Sequence, residues 1–196
     1  MKLLHLGAGD VRPSDPWVNM DTYGYPAHNA VIWDMNRHPW PFADGEFDGI
    51  AAQHVFEHFD AHQLQLIVGE CYRVLKSGGV LRVGVPDASR FREVYTRDNR
   101  DNAVELFGEP LRHPGYETFT GWALFLYSAH FQVFTEDAMW CTLVNREYPP
   151  RTVGFSPANV VRAEYQKSTR PKHYCGDVVA YLDNRPKFTL YMEAFK

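Results

Sequence analysis

Apolar residues along this chain arrive in short bursts closed by glycine, aspartate or proline, a pattern that fits buried strands better than long amphipathic helices. Leu3, Leu4 and Leu6 run into Gly7-Ala8-Gly9 and stop. Val18-Asn19-Met20-Asp21 ends a second burst on a carboxylate, and Ala30-Val31-Ile32-Trp33-Asp34 ends a third in the same way. Phe47 to Gln53 forms a fourth, after an Ala43-Asp44-Gly45-Glu46 turn. The period then changes from strand to helix. Leu64, Ile67, Val68, Cys71, Val74 and Leu75 share one helical face, with Asp60 as cap and Gln63 completing a variant of the capping box. Gly78-Gly79 is expected to stop this helix, and Val80 to Val85 reads as a fifth strand closed by Pro86.

The connections are as informative as the bursts. Between Gly9 and Trp17 lie seven residues, Pro13 and Pro16 among them, which leaves no room for a crossover helix. Extended chain at about 3.3 Å per residue still spans roughly 26 Å there, enough to return along a strand of about 17 Å and start a parallel neighbour. Residues 22–29 read as loop, and Met35 to Phe42 as a proline-punctuated connection. Further on, Phe91, Val94 and Tyr95 suggest a helix, and the polar run Arg97 to Asn102 a hinge. Aromatics from Phe107 to Phe131 follow, at spacings that core packing alone accounts for in most proteins. Thr135, Glu136 and Asp137 open a capped helix carrying Met139, Trp140, Leu143 and Val144, and Lys187 to Phe195 is a last strand.

Composition narrows the class. At 196 residues, 45% hydrophobic and 22% charged, the chain is one globular domain over 1–196. A net charge of −4 argues against a nucleic-acid binder, which needs a basic face for phosphates. Only the stretch from Arg146 to His173 is locally basic, a solvated face or a receiver for an anionic group. Cys71, Cys141 and Cys175 make neither a disulfide framework nor a Cys-x-x-Cys pair. The sequence opens on a strand without a charged leader, and no apolar run approaches 18 residues, so a cytoplasmic chain without membrane contact is expected. It says nothing of oligomeric state.

A glycine turn after one strand and carboxylates at the ends of the next two are where an open α/β sheet holds ribose hydroxyls and an amino-bearing base. The order of elements and the words LHLGAGD at 4–10, WVNMD at 17–21, WPFADGEFDGI at 40–50, HVFEH at 54–58, RVLKSGGVLRVGVPD at 73–87 and TLYMEA at 189–194 resemble the class I S-adenosylmethionine-dependent methyltransferases, in particular the small bacterial branch related to the type 11 methyltransferases. The resemblance is strong over residues 2–87 and thin over 96–186. It implies a Rossmann-like, seven-stranded, mostly parallel α/β sheet with helices on both faces, a shortened first crossover and an antiparallel last strand. It also implies S-adenosylmethionine as cofactor and a small-molecule acceptor, with residues 96–131 as an acceptor-binding lid; the aromatics at 107–131 favour a ring as acceptor, and the basic stretch 146–173 a phosphate or carboxylate. Carried over, the glycine turn meets the methionine part, Asp21 holds the ribose hydroxyls and Asp34 reads the adenine amino group. The full expected contact set is Leu6, Gly7, Ala8, Gly9, Asp21, Asp34, Met35, Gln53 and His54.

Rival readings are weaker. A dinucleotide fingerprint needs glycine where Arg12 stands and an acid later than Asp21. His54-Val55-Phe56-Glu57-His58 spells the H-x-x-E-H of inverted zinc proteases, with His62 one turn on. That motif requires a helix and a third ligand downstream, whereas here it follows a strand directly and the helix starts only after Asp60, so no metal is expected. A binding module without turnover is the other alternative. Methyl transfer from a sulfonium needs alignment above all; for an acceptor that must lose a proton, an imidazole at the fourth-strand edge suits. His58, His54 and His130 are the candidates, in that order of preference, with His54 also engaged by the cofactor.

Overall fold

In the computed structural model, the described residues are 1–10, 13–23, 29–94, 130–145, 153–170, 176–183 and 187–196. The strands are β1 (Leu3–Leu6), β2 (Trp17–Asp21), β3 (Ala30–Ile32), β4 (Phe47–Gln53), β5 (Leu75–Pro86), β6 (Val160–Ala163) and β7 (Thr189–Phe195). The helices are α1 (Ala61–Val74), α2 (Ala88–Val94), α3 (Glu136–Val144) and α4 (Gly176–Ala180). One sheet takes all seven strands in the order β3-β2-β1-β4-β5-β7-β6. β1 lies between two parallel partners, Leu4 opposite Val18 on one side and Ile50 on the other. β7 is antiparallel to both β5 and β6.

Alternation along the strands sorts the core into two layers. Leu4, Leu6, Met20, Ile50 and Leu81 point to the face covered by α1 and α3, through Leu64, Ile67, Met139 and Leu143. Leu3, Ala51, Val80 and Phe195 point to the other, where Val179 of α4 packs with Trp17. Helices therefore sit on both faces. β1 and β2 pair in parallel, as the short link between them allows, and β3 is three residues long, ending before Asp34.

α1 starts as its sequence dictates. Asp60 accepts from the Gln63 N–H at 2.8 Å while Gln63 Oε1 accepts from the Asp60 N–H at 2.9 Å, so both halves of the capping box are present. Its end differs from expectation. The helix stops at Val74, ahead of Gly78-Gly79, and the chain enters β5 at once. Lys196 Nζ donates to the carbonyls of Tyr72 and Leu75 at 2.7 Å each, satisfying the helix end from the far terminus of β7. Gly79 serves close packing within the strand, since a Cβ there would meet the Asp48 carbonyl at 3.1 Å. The word WPFADGEFD is sewn to α1 by Arg73, whose guanidinium donates to the Phe42 carbonyl, to Asp44 and to Glu70 at 2.7–2.8 Å.

β6 falls inside the stretch read from sequence as a basic solvated face. Of that stretch, Arg162 pairs with Glu136, Lys167 with Glu164, and Arg170 lies over the Phe195 ring, so these three cations do not converge on one point. Tyr95, the hinge Arg97–Asn102, most of the lid segment 96–131, Arg146, Arg151, Lys172 and Cys175 lie outside the described residues. Cys71 is buried, and burial pushes its thiol up, so it is an inert core residue. No helix among the described residues is long and apolar enough to cross a membrane.

Candidate functional site at the carboxyl edge

Strand order reverses between β1 and β4, because β2 and β3 lie to one side of β1 while β4 and β5 lie to the other. In open α/β sheets the crevice outside the strand ends at that reversal receives the ligand. The turn after β1 is shaped for it. Gly7 and Gly9 have φ of +61° and +50°, values that cost an L side chain strain. They serve different ends. A Cβ on Gly7 would meet Val55 Cγ2 at 2.5 Å, so Gly7 allows close packing of β1 against the β4 turn. A Cβ on Gly9 would meet nothing within 4 Å, so there it is the backbone φ and not crowding that favours glycine. Gly7 and Ala8 both donate to the Met20 carbonyl, at 2.9 and 3.4 Å, and Leu6 is wholly buried beneath them.

Asp21 ties the second strand to this turn. Its Oδ2 accepts from the Gly9 N–H at 2.8 Å and its Oδ1 from the Tyr23 N–H at 3.1 Å. Asp34, exposed two residues past β3, accepts from the Asn36 N–H at 2.9 Å, an Asx turn that fixes its direction. Two of the remaining expected contacts turn inward. The Met35 side chain is 4% exposed and belongs to the core, its carbonyl accepting from Trp40 Nε1 at 3.1 Å. Gln53 is buried and donates through Nε2 to Asp183 at 3.1 Å.

At the end of β4, His54 adopts φ of +55°, a left-handed conformation uncommon for a side chain with a Cβ. Nδ1 meets Glu57 Oε1 at 3.0 Å and Nε2 meets Thr189 Oγ1 at 2.9 Å, so both ring nitrogens have protein partners. Phe56–His58 is a 3-10 turn, not the α-helix that the H-x-x-E-H hydrolase arrangement demands. The segment carrying His130 docks on this turn: Phe131 donates its N–H to the Glu57 carbonyl at 2.8 Å, and Gln132 Nε2 donates to the Phe59 carbonyl at 2.7 Å. The His58 and His130 rings then stand 4.9 Å apart, edge to face, although 71 residues separate them.

The structure thus brings together Gly9 with Asp21 in one cluster, and His54 with Glu57 and Thr189 beside the His58–His130 pair in another. Sequence reasoning missed Glu57 and Thr189 as members. For Glu57 the signal was its place inside H-x-x-E-H; for Thr189 there was none, since β7 carries it in from the far end of the chain. A groove of about 460 Å³ lined by Glu70, Arg73 and Lys196 opens at the opposite, amino edge, where Asp44 precedes β4 and Lys196 follows the antiparallel β7. It shares no residue with the edge described above.

Residues 4–83, from β1 into β5, match the methyltransferase domain family. No curated protein matches the sequence. Among solved structures, a SAM-dependent methyltransferase from Archaeoglobus fulgidus superposes with a TM-score of 0.58 at 13% identity, over 100% of this chain and 86% of that one. A SAM-dependent methyltransferase from Methanosarcina mazei gives 0.52 at 15% identity, over 100% and 92%. The 1,6-didemethyltoxoflavin-N1-methyltransferase of Burkholderia thailandensis, bound to 1,6-didemethyltoxoflavin and S-adenosylhomocysteine, gives 0.51 at 14% identity, over 99% and 70%. At such identities the structural likeness speaks to fold, while the matched segment contains the glycine turn, both strand-end acids and the H-x-x-E-H turn. Residues 4–83 thus match a methyltransferase domain, and the chain as a whole shares the fold of S-adenosylmethionine-dependent methyltransferases.

Proposed function

We propose that this enzyme methylates a small-molecule acceptor, and that the edge from β3 to β4 holds the cofactor. The observation that carries the reading is the Gly9–Asp21 hydrogen bond at the reversal of strand order. It fixes a carboxylate beside the glycine turn. A carboxylate has roughly four acceptor positions, and the hydrogen bonds to Gly9 and Tyr23 use one on each oxygen, leaving capacity for two ribose hydroxyls. Asp34 takes the adenine amino group, and Leu6, Gly7 and Ala8 line the methionine side. Met35 and Gln53 contribute from the main chain, their side chains being turned inward. When bound, S-adenosylmethionine supplies the electrophilic methyl group.

The chain's own residues align the acceptor and deal with its proton. His58 is the proposed base, with His130 beside it. His54, held at both nitrogens, orients Glu57 and the turn and contacts the cofactor. Residues 1–196 act as one domain, and the aromatic segment 96–131 is the proposed acceptor lid. Its aromatics favour a ring as acceptor and the basic stretch 146–173 an anionic group, and the structurally similar Burkholderia thailandensis enzyme is named for methylating 1,6-didemethyltoxoflavin. A net charge of −4 supports a small molecule over a nucleic acid, and a cytoplasmic chain fits the three separated cysteines.

Calorimetry with S-adenosylhomocysteine, followed by methyl release over a panel of phenols, carboxylates and amines, tests the reading. Binding together with turnover on at least one acceptor is expected. Absence of binding overturns the cofactor edge, and binding without turnover on any acceptor favours a module that holds the cofactor without catalysis. For a protonated acceptor, His58→Ala should slow single-turnover methylation about 10²- to 10⁴-fold. A loss below tenfold would mean that positioning alone drives the step.

A further inference from the structure

Glu57 is fully buried, and its Oε2 has no hydrogen-bond partner among the described residues. A buried carboxylate oxygen without a donor costs several kcal/mol unless something positive sits beside it. Glu57 is not alone there. One carboxylate oxygen of Glu57 and one ring nitrogen each of His58 and His130 lie within 4.8 Å of one another, the one such cluster among the described residues. His58 and His130 are half-buried, so the cluster has a dry wall on the Glu57 side and an open side. The geometry is anchored and not a chance approach of loops. The 3-10 turn holds Glu57 and His58, and two hydrogen bonds clamp the His130 segment to that turn.

We infer that Glu57, His58 and His130 form a binding site for a first-row divalent cation of the zinc type. Two imidazoles and one carboxylate are the donor set such ions take when they keep coordination positions open. Ligands held about 2.1 Å from one ion sit roughly 3–4 Å apart, so the observed spread closes by a side-chain shift of about an ångström. His54 completes the design from outside: its Nδ1 at 3.0 Å from Glu57 Oε1 orients the carboxylate, and its Nε2 is itself held by Thr189. His130 supplies the third ligand, and the first histidine of H-x-x-E-H, His54, is an outer partner and not a ligand.

The site's consequence for chemistry rests on the methyl-transfer reading above and deepens it. An open position on a cation at the β4 edge favours an acceptor with a hydroxyl that can ligate it. The cation lowers the hydroxyl's pKa. The proton leaves to solvent, the oxygen bonds to the methyl carbon, and the carbon–sulfur bond breaks with its electron pair on sulfur. With the cation bound, His58 serves the same deprotonation through its lone pair on the cation; in the cation-free protein it remains the base proposed above.

The test uses the full chain without an affinity tag, stripped with chelator and dialysed. Calorimetry with zinc chloride should give one site per chain, and magnesium, which prefers oxygen ligands, should bind far more weakly. His130→Ala and Glu57→Gln should each weaken zinc binding by more than the roughly 10- to 100-fold that loss of an outer-shell partner costs. His62→Ala, on the exposed face of α1, should leave it unchanged. Because Glu57 is buried, His130→Ala decides if Glu57→Gln misfolds. Absence of saturable zinc binding, or binding indifferent to His130→Ala, overturns the site. S-adenosylhomocysteine binding measured on the same samples separates the two readings: zinc lost with that binding retained removes the cation site alone, and zinc retained with that binding lost supports it while removing the cofactor edge.

Discussion

Two buried charged clusters among the described residues are built to different rules. Around Arg82 every guanidinium proton has an acceptor. The guanidinium is wholly buried, yet its Nε and Nη2 donate to Asp183, its Nη1 to Glu193 at 2.9 Å, and the remaining protons to the carbonyls of Lys167 and Glu164. The carboxylates are equally occupied, Asp183 by Gln53 and the Gln166 N–H, Glu193 by Thr169 through N–H and Oγ1. Burial works against the Arg82 charge, but hydrogen bonds and opposite charge from Asp183 and Glu193 outweigh it and hold the group protonated. Around Glu57, also wholly buried, one carboxylate oxygen lacks a donor among the described residues while two imidazoles stand near. A closed network specifies structure; an open one keeps valence for something that arrives. That difference separates a buried brace from a site, where burial and charge alone do not.

The comparison can be broken at its strong end first. Arg82→Met leaves two buried acids without their cation and should cost about 3–5 kcal/mol, read as a lowered urea midpoint. A change under about 1 kcal/mol would show that the network is not a brace. Next in size is Asp21→Ala, which removes a carboxylate that the fold uses lightly and the cofactor is proposed to use fully. Affinity for S-adenosylhomocysteine should fall roughly 10- to 150-fold, the worth of about 1.5–3 kcal/mol, while the unfolding midpoint moves little. Unchanged affinity would remove Asp21 from the site.

Glu70 offers a control of the satisfied kind near the surface. Burial pushes its carboxyl up, but hydrogen bonds from Arg73 and the Trp40 N–H, with the Arg73 charge, more than offset this, and its pKa ends below the ordinary carboxylate value. The folded state therefore binds fewer protons than the unfolded state as pH approaches that value. This stabilisation is complete above the unfolded pKa of about 4.3 and is lost as pH falls through the depressed folded one. Glu70→Gln should lose about 1–2 kcal/mol at pH 7 and match the parent protein at the acid end of a pH series. Parallel stability curves for the two proteins would contradict the pairing.

The smallest expected stability effect is the sharpest discriminator. Glu57→Gln removes a buried charge that has an unsatisfied oxygen, so the urea midpoint should shift by less than about 1 kcal/mol even though the group is as buried as Arg82. A loss near that of Arg82→Met would place Glu57 among the braces and not in a site.

The sequence by itself determined the half of the molecule where signals are local. Leu3 to Leu6 against Gly7-Ala8-Gly9 set strand and turn, Asp60 with Gln63 set the start of α1, and Thr135 set the start of α3 by accepting from the Ala138 N–H at 3.2 Å. The missing first helix was legible because seven residues with two prolines cannot hold one, and the parallel pairing of β1 with β2 follows. Each depends on residues a few positions apart, so a linear string contains the cause. Tertiary structure decided the rest. α1 ends at Val74, where the chain turns extended into β5 ahead of the glycines, and Lys196 satisfies carbonyls at that end from the far end of β7. β6 was invisible because four residues that pair only with β7 leave too short an alternation to stand out from a basic background. Arg82 reads as an anomaly in an apolar strand until Asp183 and Glu193 are brought to it. The Glu57–His58–His130 cluster and the Thr189 contact to His54 exist only once the sheet has closed across separations of 72 and 135 positions, and no local periodicity encodes which distant side chains a fold will make neighbours.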